Sequence, residues 1–135
     1  MTQTGRCLCG QVTYTLEGDP AVTAVCHCRN CQRQSGAAFS VNLLVHESQL
    51  AIDGALTTFE DKGNSGNKVW RKFCGTCGSP ILSALEGMPG MIAVKAGTLD
   101  NVSGVKPAVQ VWCESKQGWV DLAGLPGFAQ SPPAR

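Results

Sequence analysis

The chain has 135 residues; 11 Lys or Arg against 10 Asp or Glu leave a net charge of +1, and only 16% of residues are charged. That length suits one domain with its own core, and the balance lacks the basic stripe that a nucleic-acid backbone requires. No stretch approaches the roughly 18 apolar residues of a membrane span and no apolar signal region opens the chain, so it reads as soluble and cytoplasmic.

Sixteen glycines, seven prolines and short apolar runs broken about every ten residues point to a mainly β domain. Gln11-Val-Thr-Tyr-Thr-Leu16 sets Val12, Tyr14 and Leu16 on one face of a strand, and Glu17-Gly-Asp-Pro20 reads as a hairpin turn. A short helix begins near Asn30, runs through Gln34 and stops at Gly36. Further strands are expected over Ala37–Val45, Lys68–Phe73, Met91–Lys95 and Ala108–Cys113. The polar, glycine-rich Asp61–Asn67 segment reads as an exposed mobile loop. One domain over residues 1–128 and a frayed tail over 129–135 complete the layout.

Seven of the eight cysteines fall into three clusters: Cys7/Cys9, Cys26/Cys28/Cys31 and Cys74/Cys77. Thiolates one or two residues apart converge on one ion, the spacing zinc needs for a tetrahedron of soft ligands. An even cysteine count also fits disulfides, but a reducing compartment disfavours them and sulfurs two residues apart bridge one another poorly. The first and third clusters together supply four ligands, so Cys7, Cys9, Cys74 and Cys77 are assigned to a structural zinc that contributes to folding stability. The middle cluster offers three, which leaves a fourth position open to water or substrate, as in catalytic zinc.

A closed middle site completed by His27 or a remote residue is the competing reading. His27 points away from Cys26 and Cys28 in an extended segment, so a supporting or surface role suits it better. Cys31 near the helix start, with Arg29 and Arg33 beside it, is biased toward the thiolate. Cys113 reads as a small buried hydrophobe and His46 as a surface turn residue.

In their order, Gly5-Arg-Cys-Leu-Cys-Gly10, Cys26-His-Cys-Arg-Asn-Cys31, Arg71-Lys-Phe-Cys-Gly-Thr-Cys-Gly78, Lys95-Ala-Gly-Thr-Leu-Asp100 and the late Pro107, Trp112, Trp119 and Gly124-Leu-Pro-Gly-Phe128 resemble the glutathione-dependent formaldehyde-activating enzyme family. Ser35, Gly36 and Phe39 match as well. The resemblance implies a β-tent of antiparallel sheets with two zinc ions per chain: a four-cysteine structural site, and a three-cysteine site (Cys26, Cys28, Cys31) associated with activity. It also implies a carbon–sulfur lyase that joins a small thiol, glutathione, to an aldehyde, formaldehyde, giving S-hydroxymethylglutathione. Ser35 and Gly36 are candidates for contacts to the peptide-like thiol. The chain departs from the pattern at Gln110, where relatives commonly carry histidine, which bears on activity toward that substrate. A second reading, of a different class, is a non-catalytic zinc-stabilised β domain that binds a protein or small-molecule partner.

Overall fold

The computed structural model describes residues 1–63 and 65–130. Ten strands and one α-helix appear in the order β1 (Thr2–Arg6), β2 (Thr13–Glu17), β3 (Val22–Cys26), α1 (Arg29–Ser35), β4 (Ser40–His46), β5 (Leu50–Asp53), β6 (Leu56–Lys62), β7 (Lys68–Cys74), β8 (Pro80–Leu85), β9 (Met91–Lys95) and β10 (Val109–Val111). The fold is therefore mainly β with one short helix.

The strands form two sheets: a small one in the order β1-β2-β5 and a large one in the order β10-β3-β4-β9-β8-β7-β6. All pairs are antiparallel except β10 with β3, which run parallel, a departure from the all-antiparallel expectation. The parallel pair follows from a crossover, since β10 returns to the edge of the sheet long after β3 has left it.

Alternation decides which face is buried. Tyr14 and Leu16 of β2 join Leu43 and Val45 of β4, Ile92 and Val94 of β9 and Leu82 of β8 in one core between the sheets. Gly5 lies directly opposite Tyr14 across β1 and β2, and a Cβ there would collide with the phenol ring and with the Thr98 carbonyl. The bare backbone lets the ring cross β1 and place its hydroxyl 2.7 Å from Thr98 Oγ1.

Two expected turns resolve differently. Glu17–Pro20 is no hairpin: β2 pairs with β1 and β5, and the chain leaves at Gly18 to enter the large sheet as β3. Asp61 and Lys62 belong to β6 rather than to an exposed loop, and Gly63 N–H donates to Asn67 O at 2.9 Å just before β7. The helix matches its expected position. Gly36, at φ 67°, takes the left-handed cap and donates its N–H to Gln32 O at 2.8 Å. Of the proposed tail, residues 131–135 lie outside the described residues; Ala129 and Gln130 accept hydrogen bonds from the Glu114 and Trp112 N–H groups.

Candidate metal centre and active site

β1 ends at Arg6 and delivers Cys7 and Cys9, while β7 ends at Cys74 and the turn into β8 carries Cys77. The four sulfurs lie within 4.8 Å of one another, and among the described residues this is the cluster of metal-site dimensions. Cys7 and Cys74 are buried, Cys77 is half-buried and Cys9 is exposed. Backbone and hydroxyl donors surround the set: Val12 N–H reaches Cys7 Sγ at 3.3 Å, and Ser79 Oγ lies 3.2 Å from Cys77 Sγ.

The same surroundings split the thiols' acidities. The Ser79 hydroxyl and the backbone N–H groups of Cys9 and Ser79 bring Cys77 down to about 5. At Cys9 the Gln11 N–H pulls downward, but burial and the thiols of Cys7, Cys77 and Cys74 overrule it and push Cys9 up to about 11. Four sulfurs this close do not all ionise without a shared cation. Their chemistry fits a soft divalent ion such as zinc, so the first and third cysteine clusters meet as the spacing predicts.

The middle cluster is built differently. Cys26 ends β3, Cys28 caps α1, and Cys31 lies in the helix. Cys31 is the hub: its interaction with the neighbouring thiols of Cys26 and Cys28 lowers its own pKa strongly and raises theirs. The Lys95 and Arg71 charges add to the same effect on Cys31. The Arg71 Nη1 group lies 3.9 Å from Cys31 Sγ.

Arg71 and Lys95 are site residues that pattern reading missed. Arg71 is 4% exposed and Lys95 9%, although both stand in strands where a charged residue ordinarily marks the solvent side. Arg71 Nε donates to Asp61 Oδ2 at 2.9 Å, and Asn30 of α1 donates to the same carboxylate at 3.2 Å, which ties the helix to β6. Lys95 Nζ donates to Asn42 Oδ1 at 2.9 Å. Burial drives the Lys95 pKa down, and the charge on Cys31 opposes that. The only sequence signal was Asp61 ten residues before Arg71, with no period to link them.

The sequence pattern of the glutathione-dependent formaldehyde-activating enzyme family matches residues 2–115. The chain belongs to that family. A crystal structure of a Rhodobacter sphaeroides protein is also similar, at 26% identity and a TM-score of 0.59, over 93% of this chain and 99% of that one. No curated protein matches.

Within this formaldehyde-activating family member, Gln110 takes a defined part. His27 is fully buried rather than at the surface, with its ring edge against Phe39 and its Nε2 2.9 Å from Gln110 Oε1. The Gln110 side-chain NH2 donates to Leu122 O at 3.3 Å and Leu125 O at 3.2 Å. One amide therefore joins the cysteine segment to the late loop.

Ser35 Oγ turns back to Gln32 O at 3.4 Å, whereas Gly36 lines an open cleft of about 400 Å³ with Arg29, Arg33, Gln117 and Trp119. Cys113 is half-buried with its thiol toward Gln110 O at 3.7 Å. His46 is exposed and caps the 3₁₀ turn Glu47–Gln49, consistent with its expected turn role. Among the described residues no helix is long and apolar enough to cross a membrane.

Proposed function

We propose that the chain is a carbon–sulfur lyase-type enzyme that joins a small thiol such as glutathione to formaldehyde, with Cys26, Cys28 and Cys31 as the reactive seat. The observation that carries this reading is the unequal setting of the two sulfur groups. One is a compact set of four between strand ends; the other is a trio whose central sulfur faces two buried cations. A closed four-ligand set suits a structural ion, and three ligands suit a working one.

On this reading the chain would hold two zinc ions, one at Cys7, Cys9, Cys74 and Cys77, whose sulfurs have metal-site dimensions, and one at Cys26, Cys28 and Cys31, which would draw together around it. Zinc at the trio supplies a Lewis acid that lowers the pKa of a thiol and polarises a carbonyl.

The protein's own groups support the rest. Arg71, neutralised by Asp61, holds Cys31 in place and offsets negative charge on the sulfurs. Lys95 adds a second positive charge facing Cys31 and Cys26. The cleft beside α1 has Arg29 and Arg33 on its wall, cations that suit the carboxylates of a peptide-like thiol. Eight cysteines, none of them in a disulfide, suit a reducing compartment such as the cytoplasm.

The test is exchange spectroscopy on 13C-formaldehyde with glutathione, with and without the zinc-loaded protein. Faster interconversion of free aldehyde and S-hydroxymethyl adduct, abolished by Cys31→Ala, is the expected result. Adduct formation no faster than in buffer sinks the enzyme reading and leaves a zinc-stabilised binding domain.

A further inference from the structure

The large sheet has a second face whose residues can be read from strand register. Residues directly opposite on neighbouring strands project from the same side. Cys26 stands opposite Ser40, Asn42 opposite Lys95, Ser83 opposite Ala93, and Arg71 opposite Ser83. Ser40 and Asn42 are two apart on β4, and Ala93 and Lys95 two apart on β9, so each pair shares a face. Arg71, Ser83, Lys95, Asn42, Ser40 and Cys26 therefore form a polar row on the side away from the apolar core, with α1 and Cys31 over it. A small residue, Ala93, lies between Ser83 and Lys95.

Within this row the hydrogen bonds do not close. Asn42 donates its NH2 to Ser40 Oγ at 3.0 Å and accepts from Lys95 Nζ at its oxygen. An ammonium carries three N–H donors, and Asn42 accounts for one of them. Ser83 is 3% exposed, and its hydroxyl, buried beside Arg71, has no hydrogen-bond partner among the described residues. A buried hydroxyl without a partner is costly, and so is a half-committed ammonium; both are retained where a ligand supplies the missing acceptor.

We infer that Lys95 and Ser83 form the seat for the oxygen of a one-carbon carbonyl substrate at the Cys31 side of the sheet. This assignment rests on the thiol–aldehyde reading, because it gives that reaction its oxygen-binding donors. As the thiol sulfur forms its bond to the carbonyl carbon, the C=O π pair moves onto oxygen. Lys95 N–H and Ser83 O–H donate to that oxygen as its charge grows. The proton lost by the thiol ends on the new hydroxyl and Lys95 ends unchanged, so S–H and the C=O π bond are exchanged for C–S and O–H. Pre-aimed donors of this kind stabilise a developing oxyanion in a site shielded from water. Arg71 is committed to Asp61 and Cys31, which leaves Lys95 the cation for the oxygen.

The probe is 13C-formate, a one-carbon anion that offers the same oxygen, titrated into the zinc-containing protein by NMR. Lys95→Met is expected to weaken formate binding roughly tenfold or more, and to lower kcat for thiol addition about a hundredfold. Ser83→Ala is the structural control: it deletes an oxygen that has no partner to lose, so urea stability stays level or rises while formate binding falls severalfold. Formate that fails to bind, or that binds wild type and both variants equally, overturns the seat. Lys95-dependent formate binding without any thiol–aldehyde turnover keeps the seat and removes the function proposed above. Turnover that is indifferent to Lys95→Met and Ser83→Ala does the reverse.

Discussion

His27 and Gln110, 83 residues apart, meet at 2.9 Å between imidazole Nε2 and amide oxygen. The direction of that bond is fixed by the rest of the amide. Its NH2 is spent on the carbonyls of Leu122 and Leu125, so the oxygen accepts and His27 carries its proton on Nε2. The Gln110 backbone adds two bonds, donating to Pro126 O at 2.9 Å and accepting from Phe128 N at 3.0 Å. Gln110 is thus a connector between the Cys26–Cys28 segment and the residues that follow β10.

Gln110→Leu keeps the bulk and removes the connector. A buried imidazole N–H and two carbonyls lose their partner, at a cost of about 2–4 kcal/mol. Urea unfolding measures it. Gln110→His, which keeps one polar partner, is expected to fall between wild type and Gln110→Leu.

The two sulfur groups predict opposite mutational profiles. Cys74→Ala breaks the set that joins the end of β1 to the end of β7, and is expected to lower stability by several kcal/mol, on the scale of losing a structural metal. Cys31→Ala leaves the Arg71–Asp61 pair intact and is expected to cost within about 1 kcal/mol while abolishing thiol-dependent exchange. Bound zinc per chain, measured beside the urea midpoint, checks both. Equal destabilisation by the two variants would make both groups structural.

Asp61→Asn isolates the ion pair. It leaves the Arg71 guanidinium, whose side chain is 5% exposed, without its counter-charge, and a loss of about 3 kcal/mol is expected. Replacing both residues, Asp61→Leu with Arg71→Met, recovers most of that stability. The double variant keeps its fold by circular dichroism and yet loses activity, because Cys31 keeps Lys95 but loses the nearer cation, Arg71.

Tyr14 sets an alkaline limit. Burial raises its pKa above the usual phenol value, and the Thr98 bond only partly opposes this. The folded chain then binds the phenol proton more tightly than the unfolded chain, whose tyrosine ionises near ~10. This contribution is complete below pH ~10 and is lost as pH rises through the folded-state value. Urea midpoints taken from pH 8 upward fall more steeply for wild type than for Tyr14→Phe, which removes this one titration.

Much of this was legible in the sequence, for identifiable reasons. Tyr14 and Leu16 alternate because one side of β2 faces core, and Gly36 ends α1 where a left-handed residue was needed. The four-sulfur set followed from spacing, since local pairs must combine to complete a tetrahedron. β6 was not legible: most of Leu56–Lys62 is exposed, so no period marks it. β8 failed for the opposite reason, as Ile81, Leu82 and Ser83 are all buried and alternation vanishes. Arg71 and Lys95 look like solvent-side strand residues until four strands come into register, and no local pattern encodes that.

The two sulfur groups also differ in when they can exist. Cys26, Cys28 and Cys31 leave the ribosome almost together, so the trio is a local structure available to a nascent chain. Cys7 and Cys9 must wait until Cys77 has emerged before their set can close. Between those moments Cys7 and Cys9 have no sulfur partners from β7, and the trio is the cysteine group already complete in the chain. The tie between the sheets is made second, so a chain interrupted before residue 77 would carry the trio without that clasp.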